Sequence, residues 1–219
     1  HEHCIFVYGM NRAPTNRNEE RLNAISHGIG ALLGIIGLFL LLEKNTGKTP
    51  YATMAIVIYS VSFIVLFSAS TIYHSVSKVH LRKIYQIVDH ISIYLLIAGT
   101  YTPLSLVSLE NSNGWTIFYA VWGIAVLGIV FKLFFTGKYE FVSLLLYLFM
   151  GWLIVFDFEN LIAKTSSLGL KLIFLGGAFY TLGIIFYAIR SIPYNHFIWH
   201  LFVLGGAISH WMFIYFDVV

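Results

Sequence analysis

Apolar residues run in seven long stretches along the chain, at positions 22–42, 51–73, 84–106, 115–135, 141–161, 168–189 and 196–218. Each holds about 20 residues or slightly more, the length an α-helix needs to cross the hydrocarbon core of a bilayer. Charged and turn-forming residues collect between them, in EKNTGKTP, HSVSKVHLRK, SLENSNG, TGKYE, IAKTSS and RSIPYN. The pattern predicts an all-α polytopic membrane protein: a single domain of seven transmembrane helices over 22–219, preceded by a cytoplasmic tail over 1–21. Glycines inside the first span (Gly28, Gly30, Gly34, Gly37) and the sixth (Gly176, Gly177, Gly183) suit close helix contact in lipid, and packing is their expected role.

Composition strengthens this reading. Of 219 residues, 58% are hydrophobic and 11% charged, against roughly a quarter charged in an average soluble domain. That is too little polar surface to coat a water-soluble globule. Cys4 is the only cysteine, so no internal disulfide forms and a metal site must use histidine or carboxylate ligands. The net charge of +3 comes from basic residues scattered through loops, which argues for topology signals and against a nucleic-acid surface. Nine basic residues (Arg12, Arg17, Arg21, Lys78, Arg82, Lys83, Lys132, Lys138, Arg190) fall on one side of seven spans and four (Lys44, Lys48, Lys164, Lys171) on the other. The amino terminus is therefore expected in the cytoplasm and the carboxy terminus outside. Residues 1–9 show neither a basic leader nor a small-residue cleavage site, so no cleavable signal peptide is expected there.

Six of the nine histidines lie in spans or at their ends, where ionisable groups are costly and point to function. The predicted topology sorts them by depth. His74 ends span two with Ser70 one turn deeper, Asp89 and His90 lie one to two turns into span three, and His196 and His200 open span seven. All belong to the cytoplasmic half, as does His27, whereas His210 belongs to the outer half. A spacing of four stacks His196 and His200 about 6 Å apart on one helical face, close enough to share a metal. His74 would complete three nitrogen ligands and leave a fourth position for water, the open arrangement of catalytic zinc sites. Asp89 is then a candidate proton acceptor. Imidazoles without thiolate favour Zn2+, with iron on a histidine and carboxylate set as the alternative.

Blander roles compete for each residue. A single histidine at a span end is more often an interfacial hydrogen-bonding group, Asp89 could pair with Arg82 or Lys83, and Ser70 could bond its own helix carbonyl. Taken together, however, one carboxylate and several imidazoles at one depth would each cost on the order of 2.5–3.5 kcal/mol when charged, and a shared cation removes much of that penalty. A retinal protein is excluded, because no lysine occurs in the last span. There is also no G-x-S-x-G nucleophile elbow.

Three blocks carry a family resemblance: EERLNAISHGIG, with Glu20, Asn23 and His27; SASTIYH followed by QIVDH, with Ser70, His74 and Asp89; and HFIWH, with His196 and His200. Over essentially its whole length the chain resembles the bacterial hemolysin III proteins, relatives of the progestin and adiponectin receptors and, more distantly, of alkaline ceramidases. The resemblance implies a seven-helix bundle in the bacterial plasma membrane. It also implies a zinc ion near the inner leaflet on His74, His196 and His200, which Asp89 reaches through water. Glu20, Asn23 and His27 are expected to form a polar cluster at the mouth of the first span, supporting the site from outside its ligand shell. Three functions follow as expectations. The first is a zinc-dependent intramembrane hydrolase of a lipid amide or ester, with Asp89 as base and Ser70 as oxyanion donor. The second is a non-catalytic regulator of membrane lipid homeostasis or energetics with structural zinc. The third is a pore-forming cytolysin. The expected partner is membrane lipid.

Overall fold

The computed structural model describes residues 16–219, and the first fifteen residues of the expected tail lie outside that range. Seven helices are long and apolar enough to cross a membrane: α1 Arg17–Lys44, α2 Ala52–Ser75, α3 Val79–Ser108, α4 Gly114–Phe135, α5 Glu140–Lys164, α6 Ser167–Ala188 and α7 Asn195–Val218. Among the described residues there is no strand. Each expected span overlaps one of these helices, most of which run past the expected limits, while α2 begins one residue later and α6 ends one residue earlier.

The longer ends have local causes. α1 starts at Arg17, ahead of the expected position 22, because the Asn16 side chain caps it by accepting the Asn18 N–H at 3.0 Å. Glu19 and Glu20 occupy its first turn, where a helix dipole favours acid. α6 is capped likewise by Ser166, which accepts from the Gly169 N–H. Pro103 lacks a backbone donor, and α3 passes there into a π turn over Leu104–Ser108. α5 is interrupted by a 3₁₀ stretch, Leu153–Asp157. Tyr101 repairs that break, its hydroxyl donating to the Gly151 carbonyl at 2.9 Å and accepting from the Ile154 N–H at 3.1 Å. Backbone groups freed in lipid need such partners.

In the bundle, α1 packs on α2 and α7, α2 on α3, α3 on α4, and α6 on α7. The glycines of α1 explain the first contact. An added Cβ would come within 2.5 Å of Phe67 at Gly30 and 2.7 Å of Phe63 at Gly34, both on α2. At Gly37 it would meet Trp211 of α7, again at 2.5 Å. Gly28 and Gly177 have more room, their nearest neighbours lying at 3.7 Å and 3.6 Å. The close approach along α1 holds α2 and α7 on either side of it, and these two helices carry the histidines.

Candidate metal centre

His74 is in the last turn of α2, and His196 and His200 lie one turn apart at the start of α7. One ring nitrogen from each lies within 4.8 Å of the other two. The ring centroids are 5.2 Å apart for His74 and His196, 4.8 Å for His74 and His200, and 4.7 Å for His196 and His200. A tetrahedral zinc ion with Zn–N bonds of about 2.0–2.1 Å holds its nitrogens about 3.3 Å apart, so small side-chain rotations close the set. The donor chemistry fits as well. His74 and His200 are 5% and 2% exposed, and His74 Nε2 and His200 Nδ1 are buried with no hydrogen-bond partner. Buried imidazole nitrogens left in this way are rare unless an ion or water satisfies them. The three histidines expected to converge do converge, and they could hold a metal ion.

Two glutamates of α1 contact the histidine-bearing turns. Glu20 Oε2 sits 2.7 Å from His74 Nδ1, and Glu20 Oε1 accepts from Arg82 Nη2 at 2.6 Å. Arg82 thus bonds to Glu20 across the start of α1, whereas the sequence offered it to Asp89. Glu19 Oε1 accepts the backbone N–H of His196 at 3.2 Å, occupying a donor that the first turn of α7 would otherwise leave over. The expected trio of Glu20, Asn23 and His27 divides its roles. Glu20 meets the ring of His74 side chain to side chain. His27 lies flat on His200, with centroids 3.7 Å apart and planes at 16°, and meets Phe67 edge-on. Lone pairs of two stacked rings lie in separate, nearly parallel planes, and His27 falls outside the three-nitrogen set. Asn23 is buried, and its carbonyl accepts from Ser26 Oγ.

Beside the histidines is a cavity of about 140 Å³. Its polar end is lined by Ser70, Asp89, His196 and His200, and apolar side chains such as Leu66, Ile93, Ile97 and Val203 form walls that continue to His210. Ser70 is 1% exposed and its Oγ makes no hydrogen bond, unlike Ser62, Thr71 and Ser75 on the same helix, each of which bonds the carbonyl four residues earlier. Asp89 lies outside the three-nitrogen set and lines the cavity beside it.

A second polar cluster escaped the sequence. Lys132 of α4 is fully buried and bonds Glu140 Oε2 at 2.7 Å, and Glu140 Oε1 accepts the Gly137 N–H and lies 3.7 Å from His90 Nδ1. The Tyr147 hydroxyl donates to the His90 carbonyl. Sequence position gave Lys132 the appearance of an end-of-span topology residue, and only the approach of α3, α4 and α5 shows its partner.

Comparison with known proteins agrees with this architecture. The profile of the family described as Haemolysin-III related matches residues 15–211. The chain is 42% identical to Hemolysin-3 of Bacillus cereus over 199 residues, covering 90% of this chain and 91% of the relative. It is 44% identical to the Hemolysin-3 homolog of Bacillus subtilis over 190 residues, covering 86% and 89%. It is 31% identical to the human Monocyte to macrophage differentiation factor over 227 residues, covering 93% and 90%.

Proposed function

This chain belongs to the Haemolysin-III related family and is a multi-pass protein of the bacterial cell membrane, and on that premise we propose that it is a zinc-dependent hydrolase of a membrane-lipid amide or ester. The observation that carries the reading is that three imidazole nitrogens lie within 4.8 Å of one another, and that two of these histidines, His196 and His200, line an apolar-walled cavity together with Asp89 and Ser70. The excess of basic residues at the end of the bundle where α1 begins supports a cytoplasmic location for that end, and with it a site at inner-leaflet depth.

His74, His196 and His200 would hold the zinc, which would supply Lewis-acid polarisation of a carbonyl and make a water acidic enough to react near neutral pH. The apolar walls hold the acyl chain and exclude bulk water, so that charges developing at the polar end are poorly screened. Asp89 accepts the proton as water attacks the carbonyl and returns it to the leaving amine or alkoxide. The Ser70 hydroxyl, which bonds nothing else, donates to the oxygen on which negative charge develops.

The test is turnover of ceramides, phospholipids and acyl amides by purified, zinc-loaded protein. Activity that falls by about 10²-fold or more in Asp89→Asn, with zinc retained, is the expected result. A folded, zinc-loaded preparation that cleaves none of these lipids contradicts the hydrolase. It would favour instead a structural zinc that ties α2 to α7 in a regulator of membrane lipid homeostasis or energetics.

A further inference from the structure

Two adjacent glutamates at the start of α1 face different parts of the metal centre. Consecutive residues on a helix point about 100° apart, so Glu19 and Glu20 diverge toward α7 and α2, the two helices between which α1 lies. Glu19 takes the His196 N–H, and Glu20 takes one nitrogen of His74. A carboxylate is an acceptor only, so the proton in the 2.7 Å contact belongs to His74 Nδ1. That leaves the lone pair on Nε2, the buried nitrogen that has no other partner. Arg82 grips the second oxygen of Glu20, and its guanidinium lies 5.0 Å from the centre of the Tyr73 ring, beside His74 in sequence.

We propose that Glu20 is a positioning residue for the metal centre, fixing the tautomer and rotation of His74 so that Nε2 meets the nitrogens of His196 and His200, with Arg82 holding the carboxylate in register. This rests on the zinc reading above and deepens it. Coupling a ligand imidazole to a carboxylate orients the ring and raises its basicity, and loss of such a partner typically weakens metal binding by about 10–100-fold. The competing role is a plain ion pair that fastens α1 to α3. That role predicts a loss of fold stability with no change in the affinity of a folded protein for metal.

The two are separated by measuring zinc affinity through chelator competition, and the melting temperature of the zinc-free form, on the full chain in detergent. Glu20→Gln keeps size and shape but can present an N–H to His74 Nδ1, which favours the wrong tautomer. We expect it to bind zinc about 10–100-fold more weakly with zinc-free melting within about 3 °C of wild type. Arg82→Lys keeps a cation beside Glu20 and should remain within about threefold of wild-type affinity. Glu20→Gln with wild-type affinity overturns the positioning role alone. Wild-type protein that binds no zinc overturns the positioning role and the site reading together.

Discussion

Lys132 shows what a single residue reveals at the interior of such a bundle. A fully buried ammonium is sustained by its partner, and Glu140 is 2.7 Å away. Lys132→Met removes one half of the pair and leaves a carboxylate in the interior, a change that costs about 3–5 kcal/mol in comparable cases. The melting temperature should fall by on the order of 10 °C. Adding Glu140→Gln removes the stranded charge and should recover part of the loss, so a double variant less stable than Lys132→Met would refute the pairing. Neither partner was legible as such in the sequence, because the contact depends on how α4 turns into α5 through Gly137, at φ 80°, and Tyr139, at φ 51°. The three clustered histidines were legible for the opposite reason. A spacing of four fixes the His196 and His200 geometry within one helix, and depth in the membrane brings His74 to the same level. Glu20 was named only as a member of a local cluster, since its pairing with His74 joins α1 to α2 across a helix interface that local spacing does not encode.

At the scale of elements, the seven apolar stretches reappear as seven helices, and the differences lie at their ends and breaks. Hydropathy marks the part of a helix that lipid surrounds, whereas capping by Asn16 and Ser166 decides where hydrogen bonding begins, so helix ends run past the apolar limits. The break in α5 was invisible in its own sequence, because what makes it tolerable is a hydroxyl from α3. With an odd number of spanning elements, the α2–α3, α4–α5 and α6–α7 connections share a face with the start of α1. Among the described residues, that face holds eight of the twelve basic residues. By the positive-inside rule the cytoplasm is its expected side. A single cysteine at Lys138, in a Cys4→Ser background, should react with an impermeant thiol reagent only after cells are permeabilised. Labelling in intact cells would reverse the orientation.

Taken whole, the molecule packs α1 closely against both α2 and α7, the two helices that carry the clustered histidines. Small residues at Gly30, Gly34 and Gly37 let α1 approach both α2 and α7, and Glu19 and Glu20 then reach across to the histidine-bearing turns. The cavity extends from that cluster along the apolar interior, so a reacting group at the polar end and an acyl chain in the remainder would occupy one continuous space. Every step of the proposed hydrolysis depends on the three histidines holding a metal. The most direct measurement is therefore the metal content, by mass spectrometry, of detergent-purified protein carrying no affinity His-tag, beside a His196→Ala/His200→Ala variant. Zinc near one equivalent in the wild type, lost in the folded double variant, is the predicted result. Folded wild-type protein without zinc, or a double variant that retains it, would contradict the account.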